Sequence, residues 1–313
     1  MNKFQSKHRY SKINLMKWIP LFVILTMGTA LYAQQQGNRG QGGERPNRQG
    51  QAGGQRQARG GGGGARPGES GFVGQMKSRD ADKSGTLSLE EVSGGRMGMR
   101  EALFKAVDLD GNGQIDMAEA KAADKIDKYQ GKPKWIEFEG NKWNATHAIG
   151  AEVVNYKGKQ ALHIVGREQC LVYLPIKDFT NGTIEVDAAG DIFTGIGFRV
   201  REAGKRSEKV YFRPQNAGGE RHQNTVQYSV IGREDGHWSA LRRNFPGKYE
   251  SGANIKQGEW FRVKLVIKDE TLKVYANGEL VLEVDKVLDG VSTGAVGIWG
   301  WDSYFANFNY TKE

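Results

Sequence analysis

The stretch that decides the fold is residues 258–309, GEWFRVKLVIKDETLKVYANGELVLEVDKVLDGVSTGAVGIWGWDSYFANFN. Apolar residues alternate with charged ones from Phe261 to Lys268, which is the period of a half-buried strand. Asn277 and Gly278 tolerate the positive φ of a tight hairpin turn, and a second alternating run follows them. The stretch therefore predicts three or four consecutive antiparallel strands.

Upstream of this stretch, short strand-like runs are separated by turn residues. They are residues 135–138, 152–156, 161–165, 170–174, 182–188, 195–200, 209–213 and 226–231. Around a dozen strands without a helix longer than a turn predict a mainly β domain over residues 134–313. The expected fold is an antiparallel jelly-roll β-sandwich of two sheets.

Four local features carry a family resemblance: Trp260 at the start of a strand, VYANG at 274–278, GAVGIW at 294–299 and YFANFNY at 304–310. Over residues 135–310 the chain resembles the concanavalin A-like and laminin G-like sandwiches. Within that superfamily it looks like the 3-keto-disaccharide hydrolase domains. The resemblance implies a sandwich that binds carbohydrate or, alternatively, cleaves 3-keto-disaccharides.

A catalytic residue cannot be assigned from this resemblance. Glu185 and Asp187 are similar to the start of the acidic signature of laminarinase-like enzymes, but alanine and glycine follow at 188–190, where a second glutamate is needed. We therefore interpret the acidic pair as structural, and the catalytic residues stay unknown.

Two segments have the twelve-residue spacing of the EF-hand loop, in which oxygen ligands converge on Ca²⁺ and a glycine at position 6 allows the sharp turn. Gly85 and Gly113 occupy that position, and Leu87 and Ile115 are expected to pair across the loops. The candidate ligands are Asp80, Asp82, Ser84, Thr86, Ser88 and Glu91 in the first loop, and Asp108, Asp110, Asn112, Gln114, Asp116 and Glu119 in the second.

These loops predict an EF-hand pair over residues 70–130, although two turns without metal are the alternative. The pair departs from the usual pattern, because the loops begin only 28 residues apart and Gly94-Gly95 interrupts the first exit helix. The second loop offers four carboxylates against three in the first, so we expect it to bind Ca²⁺ more strongly.

A ligand-binding face follows from strand parity. If Phe198 and Phe212 point into the core, their neighbours point outward. The predicted sugar-binding residues are Arg199, Tyr211, Arg213 and Gln227, with Glu185, Asp187 and Arg201 in the same outward row and His237, Trp238, Trp299 and Trp301 at its rim. The alternative is a solvated sheet face with cross-strand ion pairs.

The first 70 residues differ in composition from the rest. Residues 1–33 combine five basic residues with a short apolar run and predict a cleaved signal peptide, without a transmembrane span after cleavage. Residues 34–69, rich in Gly, Gln and Arg, predict a disordered linker. These segments carry the excess positive charge of the chain, so residues 71–313 are net neutral and a nucleic-acid partner is not expected.

The sequence thus predicts a secreted or periplasmic Ca²⁺-binding protein of the cell envelope with a carbohydrate-binding sandwich. A calcium-dependent adaptor with a protein partner is an alternative, besides the hydrolase. The single cysteine, Cys170, excludes an intramolecular disulfide and is expected to be a buried strand thiol.

Overall fold

A computed structural model describes residues 71–94 and 98–313 of the chain. The predicted signal peptide and linker lie outside these residues, and their predictions stay untested. Within the described part, no helix is long and apolar enough to cross a membrane.

A small helical module comes first, and its two loops face each other. Its elements are α1 (Phe72–Arg79), β1 (Leu87–Ser88), α2 (Leu89–Ser93), α3 (Glu101–Val107), β2 (Gln114–Ile115) and α4 (Met117–Asp127). Strands β1 and β2 are antiparallel with Leu87 opposite Ile115, which confirms the predicted pairing. Helix α2 has five residues and ends at Ser93, because the two glycines that follow in the sequence disfavour a longer helix.

The remaining elements form a β-sandwich with one short helix. They are β3 (Trp135–Phe138), β4 (Asn141–Asn144), β5 (Gly150–Tyr156), β6 (Lys159–Val165), β7 (Leu171–Tyr173), β8 (Gly182–Gly190), β9 (Thr194–Arg201), β10 (Arg206–Phe212), β11 (Val226–Ile231), α5 (Trp238–Asn244), β12 (Glu250–Ser251), β13 (Phe261–Lys268), β14 (Thr271–Ala276), β15 (Glu279–Val284), β16 (Ala295–Gly300) and β17 (Asp302–Lys312).

All strand pairs in both sheets are antiparallel, which confirms the predicted fold class. One sheet has eight strands in the order β12-β11-β10-β9-β16-β7-β4-β3, and the other has seven in the order β15-β14-β13-β8-β17-β6-β5. The apolar core lies between them, and Phe198, Phe212 and Val263 are fully buried in it. The stretch 258–309 supplies strands to both layers, because β13 to β15 are consecutive hairpins of the seven-stranded sheet whereas β16 lies in the other.

Three elements were not expected from the sequence: β4, β12 and α5. Helix α5 replaces part of the loop predicted at 232–239. His237 caps it by accepting a hydrogen bond from Ser239 N, and Ala240 and Leu241 anchor it on the sandwich through their buried side chains. A helix of seven residues has too little periodic pattern to be distinguished from a loop by sequence.

The predicted outward row does not form a single surface. Glu185 and Asp187 lie on β8 in the seven-stranded sheet, whereas Tyr211 and Arg213 belong to β10 and its end in the eight-stranded sheet. The carboxylate of Asp187 pairs with Lys159 and Arg262. The acidic pair therefore belongs to an ion-pair network on the opposite layer, in agreement with the structural role expected for it.

The helical module packs on the sandwich through a shared apolar cluster. Ile149, which precedes β5, is buried together with Phe72, Phe104 and Val107 of the module. Arg167 of the sandwich lies over the ring of Phe72, 5.1 Å from its centroid. The module thus buries its small core with the help of the larger domain, as its few large apolar residues require.

Candidate functional site

Three carboxylates converge in each EF-hand loop. Asp80, Asp82 and Glu91 have oxygen atoms within 4.8 Å of one another, and so do Asp108, Asp110 and Glu119. Carboxylate clusters at this spacing are the ligands that a hard cation such as Ca²⁺ requires. These residues sit at positions 1, 3 and 12 of both loops, so the structure brings together the acidic ligands that the spacing predicted.

The two loops repeat one pattern of backbone hydrogen bonds. Asp80 accepts from Ser84 N and Gly85 N, each at 3.0 Å. Asp108 accepts from Asn112 N and Gly113 N at 3.1 and 2.9 Å. Both glycines have positive φ, 83° and 81°, which a residue with a side chain adopts only with strain. The turn at position 6 therefore aims the first aspartate at the centre of each loop.

The residues at positions 7 and 9 hold the loops together rather than joining the carboxylate clusters. Thr86 Oγ1 donates to Gln114 Oε1 at 3.1 Å, which links the loops beside the β1–β2 bridge. Ser88 and Asp116 are the N-caps of α2 and α4, and each forms a capping box with the glutamate at position 12. Asp116 accepts from the N–H groups of Ala118 and Glu119, and three carboxylates converge in each loop.

The loops differ in burial instead. Asp108 is 9% exposed and Glu119 is 7% exposed, whereas Asp82 of the first loop is exposed. Hydrogen bonds from Ser84 lower the pKa of Asp82, and backbone hydrogen bonds from Ser88 and Ala81 lower the pKa of Glu91. The lowered pKa values favour the ionised forms of Asp82 and Glu91, and the second loop holds Asp108 and Glu119 in a drier environment.

A cleft of about 890 Å³ lies on the outer face of the eight-stranded sheet. Strands β9, β10 and β16 form its floor, and α5 and the segment between β10 and β11 form walls. Sixteen residues line it: Arg100, Glu168, Ile192, Phe193, Tyr211, Arg213, Gln215, Asn216, Gly219, Glu220, Arg221, Asn224, Trp238, Arg242, Trp299 and Trp301. Five predicted residues are thus brought together: Tyr211, Arg213, Trp238, Trp299 and Trp301.

Glycines on β9 and β16 make room for the large side chains of the floor. Gly195 lies opposite both Tyr211 and Trp299, and a Cβ there would come within 2.7 Å of Tyr211 Cβ. Gly297 lies opposite Tyr173, and a Cβ there would meet Val172 O at 2.5 Å. A side chain at either position would force the strands apart, so the ring of Tyr211 can lie across the sheet only because β9 has glycine here.

Tyr211 and Arg213 form a buried pair at one end of the floor. Arg213 Nη2 donates to Tyr211 Oη at 2.6 Å, and the guanidinium carbon lies 4.7 Å from the Tyr211 ring centroid. Burial lowers the pKa of Arg213 and raises the pKa of Tyr211, in each case because the charged form is desolvated. Tyr211 is only 2% exposed, so its ring supports Arg213 and is not the open stacking surface that we expected.

Lys209 and Trp299 form the second buried pair of the floor. Lys209 Nζ lies 3.8 Å from the Trp299 ring centroid and 2.8 Å from Glu168 Oε1. Burial lowers the pKa of Lys209, and the charge of Glu168 opposes this shift. The aromatic rings that stay half-buried, and so accessible to a ligand, are Phe193, Trp238 and Trp301.

Arg199 is not part of the cleft, which corrects its predicted place. The register of β9 against β16 shifts at this position, and Arg199 has a φ of 50°. Such a bulge reverses the side-chain parity of the strand. Arg199 is fully buried, donates to the carbonyl oxygens of Thr180, Gly290 and Asp269, and pairs with Glu208 at 3.4 Å.

Gln227 and His237 also have positions different from those predicted. Gln227 is fully buried, and its amide donates to Tyr228 O and Tyr249 O at 2.9 and 3.0 Å. Its Oε1 lies 3.5 Å from Arg213 Nη2, and Gln227 does not line the cleft. His237 caps α5 through Nδ1 and does not line the cleft. Desolvation lowers the pKa of His237, which favours the neutral ring that capping needs.

Several cleft residues were missed by sequence reasoning, among them Arg100, Glu168, Phe193 and Arg242. The buried Lys209, which contacts Trp299 and Glu168, was missed as well. Arg100 comes from the helical module and pairs with Asp191 at 3.1 Å. The alternation of glycines at 195, 197 and 297 was the available signal, because a strand with glycine on one face makes room for large side chains from its neighbours.

The fold and the loops define a mainly β protein that carries EF-hand calcium-binding geometry. A sequence model of the EF hand family matches residues 99–120, which span α3, the second loop and the start of α4. No curated protein matches the chain at a significant level.

Solved structures similar to this chain include a carbohydrate binding module, galectins and putative glycosyl hydrolases. They include the carbohydrate binding module CBM66 from Bacillus subtilis, with 13% identity, 58% of this chain and 92% of that chain covered, and a TM-score of 0.34. A Bacillus subtilis protein with a galectin-like fold has 13% identity, 52% and 88% coverage and a TM-score of 0.35. The galectin LEC-6 of Caenorhabditis elegans has 15% identity, 46% and 91% coverage and a TM-score of 0.32. These scores are below 0.5, so the fold assignment depends on the strand order and register given above.

Proposed function

We propose that this chain is an exported Ca²⁺-binding protein whose sandwich binds a saccharide in the cleft on its eight-stranded sheet. The observation that carries the proposal is the combination of three half-buried rings, Phe193, Trp238 and Trp301, with fixed polar groups in one concave site. Aromatic faces pack against the apolar C–H faces of sugar rings, and arginine and amide groups bond to their hydroxyls.

The geometry supports binding better than hydrolysis. The carboxylates that line the cleft are Glu168 and Glu220, and Glu168 is held by Lys209 at 2.8 Å. A glycosidase needs two carboxyl groups at a defined separation across the scissile bond, with one of them free to transfer a proton. We therefore rank hydrolysis of 3-keto-disaccharides as the second candidate function, after saccharide binding.

A glycan array with the full-length protein, followed by titration of the best ligand, tests saccharide binding. Trp238→Ala should weaken binding about tenfold, equivalent to about 1.4 kcal/mol. Trp135→Ala is the matched control, because Trp135 is a 44% exposed tryptophan outside the cleft. Equal affinities of the wild type and Trp238→Ala would contradict the assignment of the cleft.

Release of monosaccharide from 3-keto-disaccharides, and not from ordinary ones, would favour the hydrolase.

The two loops fit Ca²⁺ through the converging carboxylates at positions 1, 3 and 12. When bound, the cation would supply charge compensation for each acidic cluster and tie the exit helix to the loop. The chain's own residues prepare for this, because the capping boxes of Ser88 and Asp116 already hold Glu91 and Glu119 against the loops.

Export is the part of this proposal that depends on the sequence. The basic start, the short apolar run and the small residues before Ala33 favour cleavage near that residue. Mass spectrometry of the mature protein tests this prediction. A protein that still begins at Met1 would contradict it.

A further inference from the structure

Arg213 is buried at the base of the cleft but still lines it. The side chain is 7% exposed and lies between two rings, with its guanidinium carbon 4.7 Å from the Tyr211 centroid and 5.6 Å from the Trp238 centroid. Both rings restrict its rotamers. The guanidinium therefore has a fixed position at the cleft surface before a ligand arrives.

The charge of Arg213 has no carboxylate partner. No acidic oxygen lies within 4.0 Å of it among residues 71–94 and 98–313. The nearby acids, Glu168 and Glu250, are already held by Lys209 at 2.8 Å and by Arg242 through a two-pronged contact. A buried cation without a counter-ion is costly, and proteins usually pair such a group.

Other arginines of the sandwich are paired with carboxylates. Arg199, fully buried, pairs with Glu208, and Arg201 and Arg206 pair with the buried Asp289. Arg262 pairs with two carboxylates on the opposite layer. Arg213 thus differs from these four arginines. Arg167, which is half-buried, also has no carboxylate within 4.0 Å among the described residues, but it lies over the ring of Phe72 and does not line the cleft.

Part of the hydrogen-bonding capacity of Arg213 is also unused. One N–H donates to Asn224 O at 2.9 Å, one to Tyr211 Oη at 2.6 Å and one, at the long distance of 3.5 Å, to Gln227 Oε1. A guanidinium has five N–H groups. Two of them therefore have no acceptor among the described residues, at a site that opens to the cleft.

We infer that the saccharide bound in this cleft is acidic, and that its anionic group, a uronate carboxylate or a sulfate ester, pairs with Arg213. This inference rests on the proposed saccharide-binding function and narrows its ligand class. An incoming anion would supply the missing counter-charge and the acceptors for the two free N–H groups. Charge-assisted hydrogen bonds of this kind are the strong ones in proteins.

Most of the other buried or half-buried charged residues around the cleft already have an ion-pair partner. Arg100 and Arg242 are paired with Asp191 and Glu250. Glu168 is compensated by Lys209, so it repels an approaching anion less than a free carboxylate would. Arg221 and Glu220 also line the cleft without an ion pair among the described residues, but both side chains are exposed. Arg213 is therefore the buried cation of the cleft whose charge is not already paired.

A glycan array tests the ligand class. It contains neutral, uronate-containing and sulfated glycans and is probed with the full-length protein. The best binder is then titrated beside the same glycan with its carboxylates methyl-esterified or its sulfates removed. We expect acidic glycans to dominate, and neutralisation of the ligand to weaken binding about tenfold or more. The two derivatives distinguish a carboxylate from a sulfate as the anionic group.

Three variants assign the effect to Arg213. Arg213→Gln should bind the acidic and the neutralised glycan alike, and Arg213→Lys should not restore the preference, because an ammonium lacks the planar fork. Arg243→Gln removes the same charge from the exposed face of α5 and should bind as the wild type does. Thermal melts show whether each variant is folded, and the comparison of ligand derivatives on the wild type does not depend on any variant.

The outcomes separate this inference from the function on which it rests. Preference for neutral glycans, or equal affinity for an acidic glycan and its ester, would overturn the acidic ligand and leave saccharide binding intact. Binding to no glycan of any class would overturn both. A preference for acidic glycans that persists in Arg213→Gln would overturn the role of this arginine.

Discussion

The fold perturbs the ionisation of the buried carboxyl group of Glu208. Desolvation raises its pKa to about 7, and the hydrogen bond from Tyr228 and the charge of Arg199 reduce this shift. The unfolded value is near 4.5. Because the pKa of the folded state is higher, the stabilising contribution of protonated Glu208 is full below the unfolded value and is lost as the pH rises through 7.

Glu208→Gln should therefore reduce the pH dependence of stability. Between about pH 5 and pH 8 the wild type should lose more unfolding free energy than the variant, because only the wild type must deprotonate a buried acid. Urea unfolding of both proteins across this range measures the difference. Parallel curves would show that Arg199 keeps Glu208 ionised throughout.

Arg199 and Arg213 should respond differently to substitution, although strand parity assigned both to one face. Arg199→Ala leaves Glu208 buried without its cation, and a broken buried pair costs about 3–5 kcal/mol of unfolding free energy. The same variant, at a temperature where it is folded, should keep its affinity for the ligand of the cleft. Denaturant unfolding beside glycan titration measures both effects, and a stable variant with weak binding would contradict this assignment.

At the scale of elements, the two EF-hand loops share a geometry but differ in burial. Asp108→Ala should reduce Ca²⁺ binding more than Asp80→Ala, because Asp108 is 9% exposed and fixes a cluster that also holds the buried Glu119. A ligand in a dry, fixed position contributes more than one that water can replace. Isothermal titration of the two variants is the measurement, and equal losses would mean that burial does not control affinity.

Helix α1 shows how the module depends on contacts distant in sequence. Its N-cap, Gly71, has no side chain to accept from the first turn. Asp124 of α4 fills this role, accepting from Phe72 N at 2.7 Å and from Val73 N at 3.2 Å. The exit helix of the second loop therefore caps the entry helix of the first, which couples the loops beyond the β1–β2 bridge.

At the scale of the whole molecule, the helical module and the sandwich share buried apolar surface. Ca²⁺ at about 100 times its dissociation constant should stabilise the folded state by about 2.7 kcal/mol per site. Because Ile149 of the sandwich is buried among residues of the module, we expect this gain to raise the thermal midpoint of both parts together. Calorimetry with Ca²⁺ and with chelator measures it, and a sandwich transition that Ca²⁺ leaves unmoved would show that the two parts unfold independently.

The sequence by itself determined the features that depend on local spacing. The alternation from Phe261 to Lys268 predicted a strand, and the structure has β13 over the same residues. The two loops were predicted for the same reason, because an EF-hand places its acidic ligands within twelve consecutive residues. Local backbone geometry fixes such features, so no knowledge of distant contacts is needed.

The tertiary structure alone decided which residues form the cleft. A bulge in β9 buries the side chain of Arg199 inside the sandwich, and the placement of β8 and β10 in different sheets separates Asp187 from Tyr211. Arg213 is covered by Trp238 of α5, a contact across 25 residues of sequence. Parity predicts a side chain's face only within an unbroken strand, and neither bulges nor sheet partners follow from local periodicity, because non-local pairing sets both.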